Sequence, residues 1–341
     1  MQVAFVDAGF FIGRRGRHWG PRGALTKCQR RLQNGRASYK QFVGLQKKCV
    51  FNDMKYLEFR MRNVGYQPSK KQPVIICWDG IGGRNFRGAI YDQYKANRAG
   101  DVEKYDASTH QIHDYREYLR KIDIDPDNIR NNWVSIHDPS LEADDLIADQ
   151  LVKALEVEEY EKIWVFSSDS DCHQFFAWDE RIHIHNFVEE IKREDVAVSL
   201  DIPLEYYSDW KAIAGDTSDN IPGIPKIGPK QASEWIRTYG SLDTIPPENF
   251  IFAEPYNIER VGKLLSDWRT LNKATLTSCT QDIGRCWNDF EKGKSRRITH
   301  AEYSKLCERI PQCKIEFEIT NYLPHIKDYK RMIKLPFDPT P

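Results

Sequence analysis

Three short apolar runs in this chain each end on an aspartate: VAFVD at residues 3–7, VIICWD at 74–79 and IWVFSSDSD at 163–171. A brief apolar run without polar alternation fits a strand covered on both faces, the usual condition of a parallel sheet. Parallel strands need long crossovers, and the intervals between these runs leave room for them. In such sheets the carboxyl ends of the strands carry the site. The pattern therefore predicts an α/β chain with a mostly parallel central sheet flanked by helices. Asp7, Asp79, Asp169 and Asp171 should stand along one acidic edge.

A fourth acidic stretch, SLEADDLIADQ at 140–150, follows Asp138-Pro139, a helix start signal. Leu141, Leu146, Ile147, Leu151, Val152 and Leu155 form an apolar stripe at helical spacing. Glu142, Asp144 and Asp145 fall in the opening turn, where the helix dipole favours acids by ~0.3 to 1 kcal/mol each. Capping alone accounts for acids in a first turn. It does not account for further acids at every strand exit, nor for Asp216 and Asp219 in a later loop.

The formal net charge is zero, yet it is unevenly spread. From Arg14 to Arg62 there are 14 Lys and Arg against only Asp53 and Glu58, so this segment carries +12 and the remainder −12. A chain polarised in this way can hold a phosphate backbone on one surface and metal ions on another. Residues 38–62 read as a basic helix with Phe42, Leu45, Cys49, Leu57 and Met61 on its apolar side. The segment after Phe86 mixes Arg87, Lys95, Arg98 and Lys104 with Tyr91, Tyr94 and Tyr105, the pairing of cations and stacking rings that suits single-stranded nucleic acid.

The eight cysteines have no zinc-ligand spacing and read as free thiols of a reducing compartment. With no basic leader ahead of Asp7 and no apolar run near the ~20 residues of a membrane span, a cytoplasmic location is expected. IHIHNF at 182–187 reads as another strand, with His183 and His185 on one face. Farther on, LEYYSDWKAIAG and PKQASEWIRTYG are predicted helices, closed by Gly215 and Gly240, with Pro229 in the first turn of the second. The loop DTSDNIPGIPKIG between them can offer backbone N–H groups and a helix N-terminus to phosphates, a grip that reads no sequence.

Four stretches, in this order, resemble the 5′-nuclease superfamily of flap endonucleases, bacteriophage 5′-exonucleases and the 5′-nuclease domain of bacterial DNA polymerase I. FRGAIYDQYKANR is similar to its arch-base motif, SLEADD to its acidic helix start, SSDSDCHQFF to its acid pair, and GDTSDNIPGIPKIGPKQA to its helix-three-turn-helix. The resemblance spans roughly residues 3–240 and implies a PIN-like core over 1–200 with an arch near 84–120. It implies a helix-three-turn-helix subdomain over 201–276, which leaves 277–341 as a C-terminal extension.

Carried over by position, the metal-binding carboxylates would be Asp7, Asp79, Glu142, Asp144, Asp145, Asp169, Asp171, Asp216 and Asp219. The resemblance implies Mg²⁺ or Mn²⁺, two ions about 4 Å apart, hydrolysing a phosphodiester bond. It places Lys95, Arg98, Asp145 and Asp169 in catalysis. DNA contacts would come from Arg14, Arg15, Arg87, Tyr94, Lys95, Arg98, Gly223, Lys226, Gly228 and Lys230, with K⁺ in the clamp loop. The expected partner is DNA, branched or with a free 5′ end, or an RNA/DNA hybrid, and the expected state is a monomer.

The chain departs from the family at two places. No asparagine follows Asp7 within a few residues, so either Arg14 or Arg15 could serve as the active-site cation. Lys226 stands where many members have glycine, which means either a strained backbone at the K⁺ site or an added phosphate contact. Two rival readings are a branched-DNA binding protein that does not cut, and a ribonuclease on the same core. All nine carboxylates are present, which disfavours the first, and the clamp unit disfavours the second.

Overall fold

The computed structural model describes residues 1–19, 22–80, 82–98, 115–130, 132–225, 227–253, 308 and 319–337. Lys226, residues 99–114 of the expected arch, and most of the segment from 254 to 318 lie outside the described residues, as do the side chains of Arg15 and Arg98. The chain divides into two compact units, 1–245 with 325–341, and 246–324.

The first unit is built on a six-stranded sheet. Its strands are β1 (Gln2–Asp7), β2 (Val74–Trp78), β3 (Trp133–His137), β4 (Lys162–Phe166), β5 (Ile182–His185) and β6 (Glu190–Ile191), in the spatial order β3-β2-β1-β4-β5-β6. All pairings are parallel except β5 with β6. β1 is central and alternates its faces. Ala4 and Val6 join one core with Val74, Ile76, Trp164 and Phe166, while Val3 and Phe5 join the other with Cys77, Ile163 and Val165.

A helix at Tyr39–Asn63 covers the first face with Val50, Met54, Leu57 and Met61. It begins with a capping box, in which Gln41 N donates to Ser38 Oγ at 3.2 Å and Ser38 N to Gln41 Oε1 at 2.8 Å. A helix at Ala143–Leu155 covers the other face with Ala143, Leu146, Ile147 and Leu151. Val152, counted on its apolar stripe, is 45% exposed. The sheet thus lies between helical layers, as the recurrent strand pattern implied.

β3 was not legible in the sequence. It is an edge strand whose sequence WVSIH buries only Trp133 well, and Val134 is half in solvent, so it lacks the apolar run that announced its neighbours. The run after Asp7 is a helix, Gly9–Trp19, held by buried Phe10 and Phe11. The two clamp helices occur at Tyr207–Ala214 and Pro229–Tyr239 as expected. In the second unit Ile251–Ala253 pairs antiparallel with Ile319–Asn321.

Candidate active site

Because β2, β1 and β4 are parallel neighbours, their carboxyl ends deliver Asp7, Asp79 and Asp169 to one edge. Asp7 accepts from Gly9 N at 2.7 Å and Ser167 Oγ at 2.8 Å. Burial, with the Asp79 charge beside it, pushes its pKa up to about 6. Asp79, exposed just past β2, accepts from Ala143 N at 2.9 Å and so ties this edge to the start of the Ala143–Leu155 helix. Asp169 caps the 3₁₀ segment Ser170–Ala177 by accepting from Asp171 N.

The acidic helix start is organised by Arg87. Its Nη1 and Nη2 donate to Asp145 Oδ2 and Oδ1 at 2.8 and 2.7 Å, and Nη1 also to Glu142 Oε2 at 2.9 Å. Glu142 further accepts from Tyr94 OH at 2.8 Å and Lys95 Nζ at 2.7 Å. Burial works against the Glu142 carboxylate, but Lys95 and Arg87 outweigh it and hold its pKa low. Asp144 has no such partner among the described residues. Burial, reinforced by Asp145 and Glu142 against the opposing pull of Arg87, raises its pKa well above the carboxylate range. Gly83 is required here, since a Cβ would lie 2.8 Å from the Leu141 carbonyl and 2.9 Å from Glu142 Cγ.

A third group joins the sheet edge to the clamp loop. Carboxylate oxygens of Asp171, Asp216 and Asp219 all lie within 4.8 Å of one another. Lys211 pairs with Asp171 and, at 2.7 Å, with Asp216 Oδ2. Burial outweighs that cation at Asp171, whose pKa rises to about 7, whereas at Asp216 the lysine and Ser218 prevail over burial and lower it. Tyr94 OH donates to Asp219 at 3.1 Å. The loop is pinned to the segment before the expected arch by Lys95 N to Asp219 O at 2.9 Å, Asn220 Nδ2 to Gln93 O at 2.7 Å and Asn97 Nδ2 to Thr217 O at 2.8 Å. Gly223, at φ +63°, packs so close that a Cβ would meet Gly215 N at 2.4 Å.

The structure therefore gathers all nine carboxylates at one edge, in three linked groups. Several expected DNA contacts are placed elsewhere. Arg87 is only 2% exposed with its guanidinium spent internally, so no surface remains for a phosphate. Tyr94 and Lys95 are also buried, aimed at Glu142 and Asp219. Arg14 donates to Asp53 at 2.8 Å and lies 4.0 Å from the centre of the Tyr56 ring. Lys230 is exposed in the first turn of its helix, whereas Gly228 is extended with open space around it and has no conformational need to be glycine. His183 pairs with Glu190 at 2.8 Å, and His185 Nδ1 accepts from Phe187 N, so the two histidines have separate structural partners.

Lys211 was missed. It sits in a helical stretch with ordinary apolar neighbours, and its pairing depends on a fold that brings Asp171 beside the clamp.

Among the described residues, nine carboxylates stand against three buried cations, Arg87, Lys95 and Lys211, which leaves a surplus of six negative charges if all ionise. Hard oxygen donors in surplus suit a divalent cation such as Mg²⁺ or Mn²⁺. Among the described residues no helix is long and apolar enough to cross a membrane.

Profiles of two protein families match the chain: a 5′-3′ exonuclease N-terminal resolvase-like domain over residues 44–201 and a 5′-3′ exonuclease C-terminal SAM fold over 202–267. A 5′-3′ exonuclease of Buchnera aphidicola is 30% identical over 222 residues, covering 61% of this chain and 68% of that protein. DNA polymerase I of Mycobacterium tuberculosis is 34% identical over 166 residues, 48% of this chain but only 17% of the polymerase. Among solved structures, the phage T5 D15 protein crystallised with metal ions aligns over 98% of this chain and 97% of that one at 15% identity, with a TM-score of 0.49. The catalytic core of Rad2 in complex with DNA substrate aligns over 99% and 80% at 16% identity, with a TM-score of 0.42.

Proposed function

The chain belongs to the 5′-3′ exonuclease family, and from that premise we propose that it is a divalent-metal-dependent 5′-nuclease hydrolysing phosphodiester bonds in DNA. The observation that carries the reading is the convergence of nine carboxylates on one sheet edge with, among the described residues, only three buried cations beside them. Asp7, Asp79, Asp144 and Asp169 would hold one ion and Asp171, Asp216 and Asp219 a second, with Mg²⁺ or Mn²⁺ as the metal. Such ions lower the pKa of bound water and stabilise charge on the reacting phosphate.

The chain's own residues do the remaining work. Tyr94 and Lys95 join Glu142 to Asp219, so the segment leading to the arch and the clamp loop are fixed relative to the acids before substrate arrives. Lys95 is held by Glu142, so the positive charge near the scissile phosphate would come from Arg98, the kind of preorganised electrostatics that lowers a barrier most. Lys230 and the loop from Gly223 to Gly228, including Lys226, would hold duplex, with K⁺ at the loop. Asp145 serves as the anchor of Arg87 rather than as a free ligand, since both its oxygens are taken. The division into a core at 1–200, a clamp at 201–276 and an extension at 277–341 belongs to this reading. So do a monomer in the cytoplasm, action on 5′ flaps, nicks, free 5′ ends or RNA primers, and a role in replication or repair.

The test is cleavage of a 5′-labelled flap and a matched blunt duplex, each with Mg²⁺ and with chelator. Product at the flap junction that disappears in chelator supports a structure-specific nuclease, and short products from the blunt duplex shift the role toward exonuclease. Cleavage of RNA alone favours the ribonuclease reading. Tight binding to branched DNA without product under any condition refutes the nuclease reading.

A further inference from the structure

We propose that the C-terminal segment Ile326–Phe337 is a strap that positions the acidic site, acting through Arg87, Asp145 and Gln174 rather than at the reacting atoms. This rests on the metal-dependent reading above. The segment falls outside both family matches, which end at residue 267. Yet it reaches two of the three acidic groups.

On one side, Arg87 Nε donates to Met332 O at 2.9 Å, the Phe337 ring centre lies 4.6 Å from the guanidinium, and Phe337 N donates to Asp145 Oδ1 at 3.3 Å. On the other, Gln174 Nε2 donates to Ile333 O at 3.1 Å and to Asp171 O at 2.9 Å, while Gln174 Oε1 accepts from Leu335 N at 2.8 Å. The segment is itself seated by buried Ile326, Met332 and Ile333 and by Lys330 paired with Asp209 at 2.7 Å.

A guanidinium is a rigid planar fork, so fixing its Nε and one face leaves it a single orientation. Met332 and Phe337 supply those two constraints. The fork then sets where Asp145 stands, and Asp145 N donates to Asp144 Oδ1 at 2.9 Å, which carries the constraint to a proposed ligand. Gln174 does the same for the backbone of Asp171. Groups that hold metal ligands in place are worth about 10 to 100-fold in metal affinity when removed.

The experiment uses the full-length protein and three variants, Phe337→Ala, Gln174→Met and Phe337→Tyr. Mn²⁺ binding is measured by calorimetry without DNA, and cleavage is followed as a function of Mg²⁺ concentration. Phe337→Ala and Gln174→Met are expected to weaken Mn²⁺ binding and raise the half-maximal Mg²⁺ concentration by about tenfold. At saturating Mg²⁺, kcat should stay within about twofold, because the ligands themselves are intact. Phe337→Tyr keeps the ring and should restore wild-type values. Should Phe337→Ala not fold, Phe337→Leu carries the same expectation. Unchanged Mn²⁺ affinity in the variants, with wild type binding normally, overturns the strap alone. Wild type that binds no Mn²⁺ overturns the metal reading, and the strap with it.

Discussion

The carboxylates at the sheet edge fall into two classes that differ in what neutralises them. Glu142, Asp145, Asp171, Asp216 and Asp219 each have a buried cation from Arg87, Lys95 or Lys211. Asp7, Asp79, Asp144 and Asp169 have, among the described residues, only neutral donors: the N–H of Gly9, Ala143, Asp145 and Asp171, and the Ser167 hydroxyl. The consequence appears in their protonation. Asp7 and Asp144 are pushed up chiefly by burial, whereas Glu142 and Asp216 are held down by their cations. Asp171 departs from its class, raised to about 7 and above Asp7, because burial there exceeds what Lys211 returns. Within the first class Glu142 and Asp145 form a frame that is complete as folded, while Asp171, Asp216 and Asp219 share Lys211 and Lys95 among three carboxylates and can still take an ion. The second carries charge that only an added cation relieves, and it is where a metal does most.

If that division is right, breaking the frame should cost stability with or without metal. Asp145→Asn leaves the buried Arg87 fork with Glu142 as its one remaining charged partner among the described residues and is expected to destabilise by about 3 kcal/mol. Denaturant unfolding in chelator and in Mg²⁺ should show the same loss. A loss confined to the metal-loaded protein would move Asp145 into the ligand class. A smaller effect separates the acids from the sheet behind them. His185, 2% exposed on β5, has its pKa lowered to about 4 by burial and by Arg60. Its folded value lies below the ordinary 6.5, so its contribution is complete above about pH 6.5 and is lost as pH falls toward 4. That loss reaches at most about 3 kcal/mol. His185→Gln should flatten this limb of the stability profile between pH 6.5 and 4, and an unchanged limb would assign the acid sensitivity to the carboxylates.

The sheet and its acidic edge could be read from the sequence because buried parallel strands announce themselves as apolar runs, and their exits were marked by Asp7, Asp79 and Asp169. The helix at 143–155 and the clamp helices were legible through caps and periodicity. β3 was not, because an edge strand need bury only one residue well. The ligand residue types were visible, but their division into frame and surplus was not. Arg87, Tyr94 and Lys95 looked like DNA contacts because cations among aromatics suit both a nucleic-acid surface and a buried charge network. Lys211 carried no local signal, and the strap joins residues more than 150 positions apart, Gln174 to Leu335 among them.

The most direct test of this division is thermal unfolding at pH 8 of wild type and Asp7→Asn, each in chelator and in saturating Mn²⁺. Removing a half-buried, unneutralised charge should make Asp7→Asn more stable than wild type in chelator, by roughly 2 kcal/mol. Mn²⁺ should then raise wild type by about 2.7 kcal/mol at a hundredfold excess over its Kd, and raise Asp7→Asn far less. If Asp7→Asn is the less stable protein in chelator and gains as much from Mn²⁺ as wild type does, Asp7 belongs to the frame and the account is wrong.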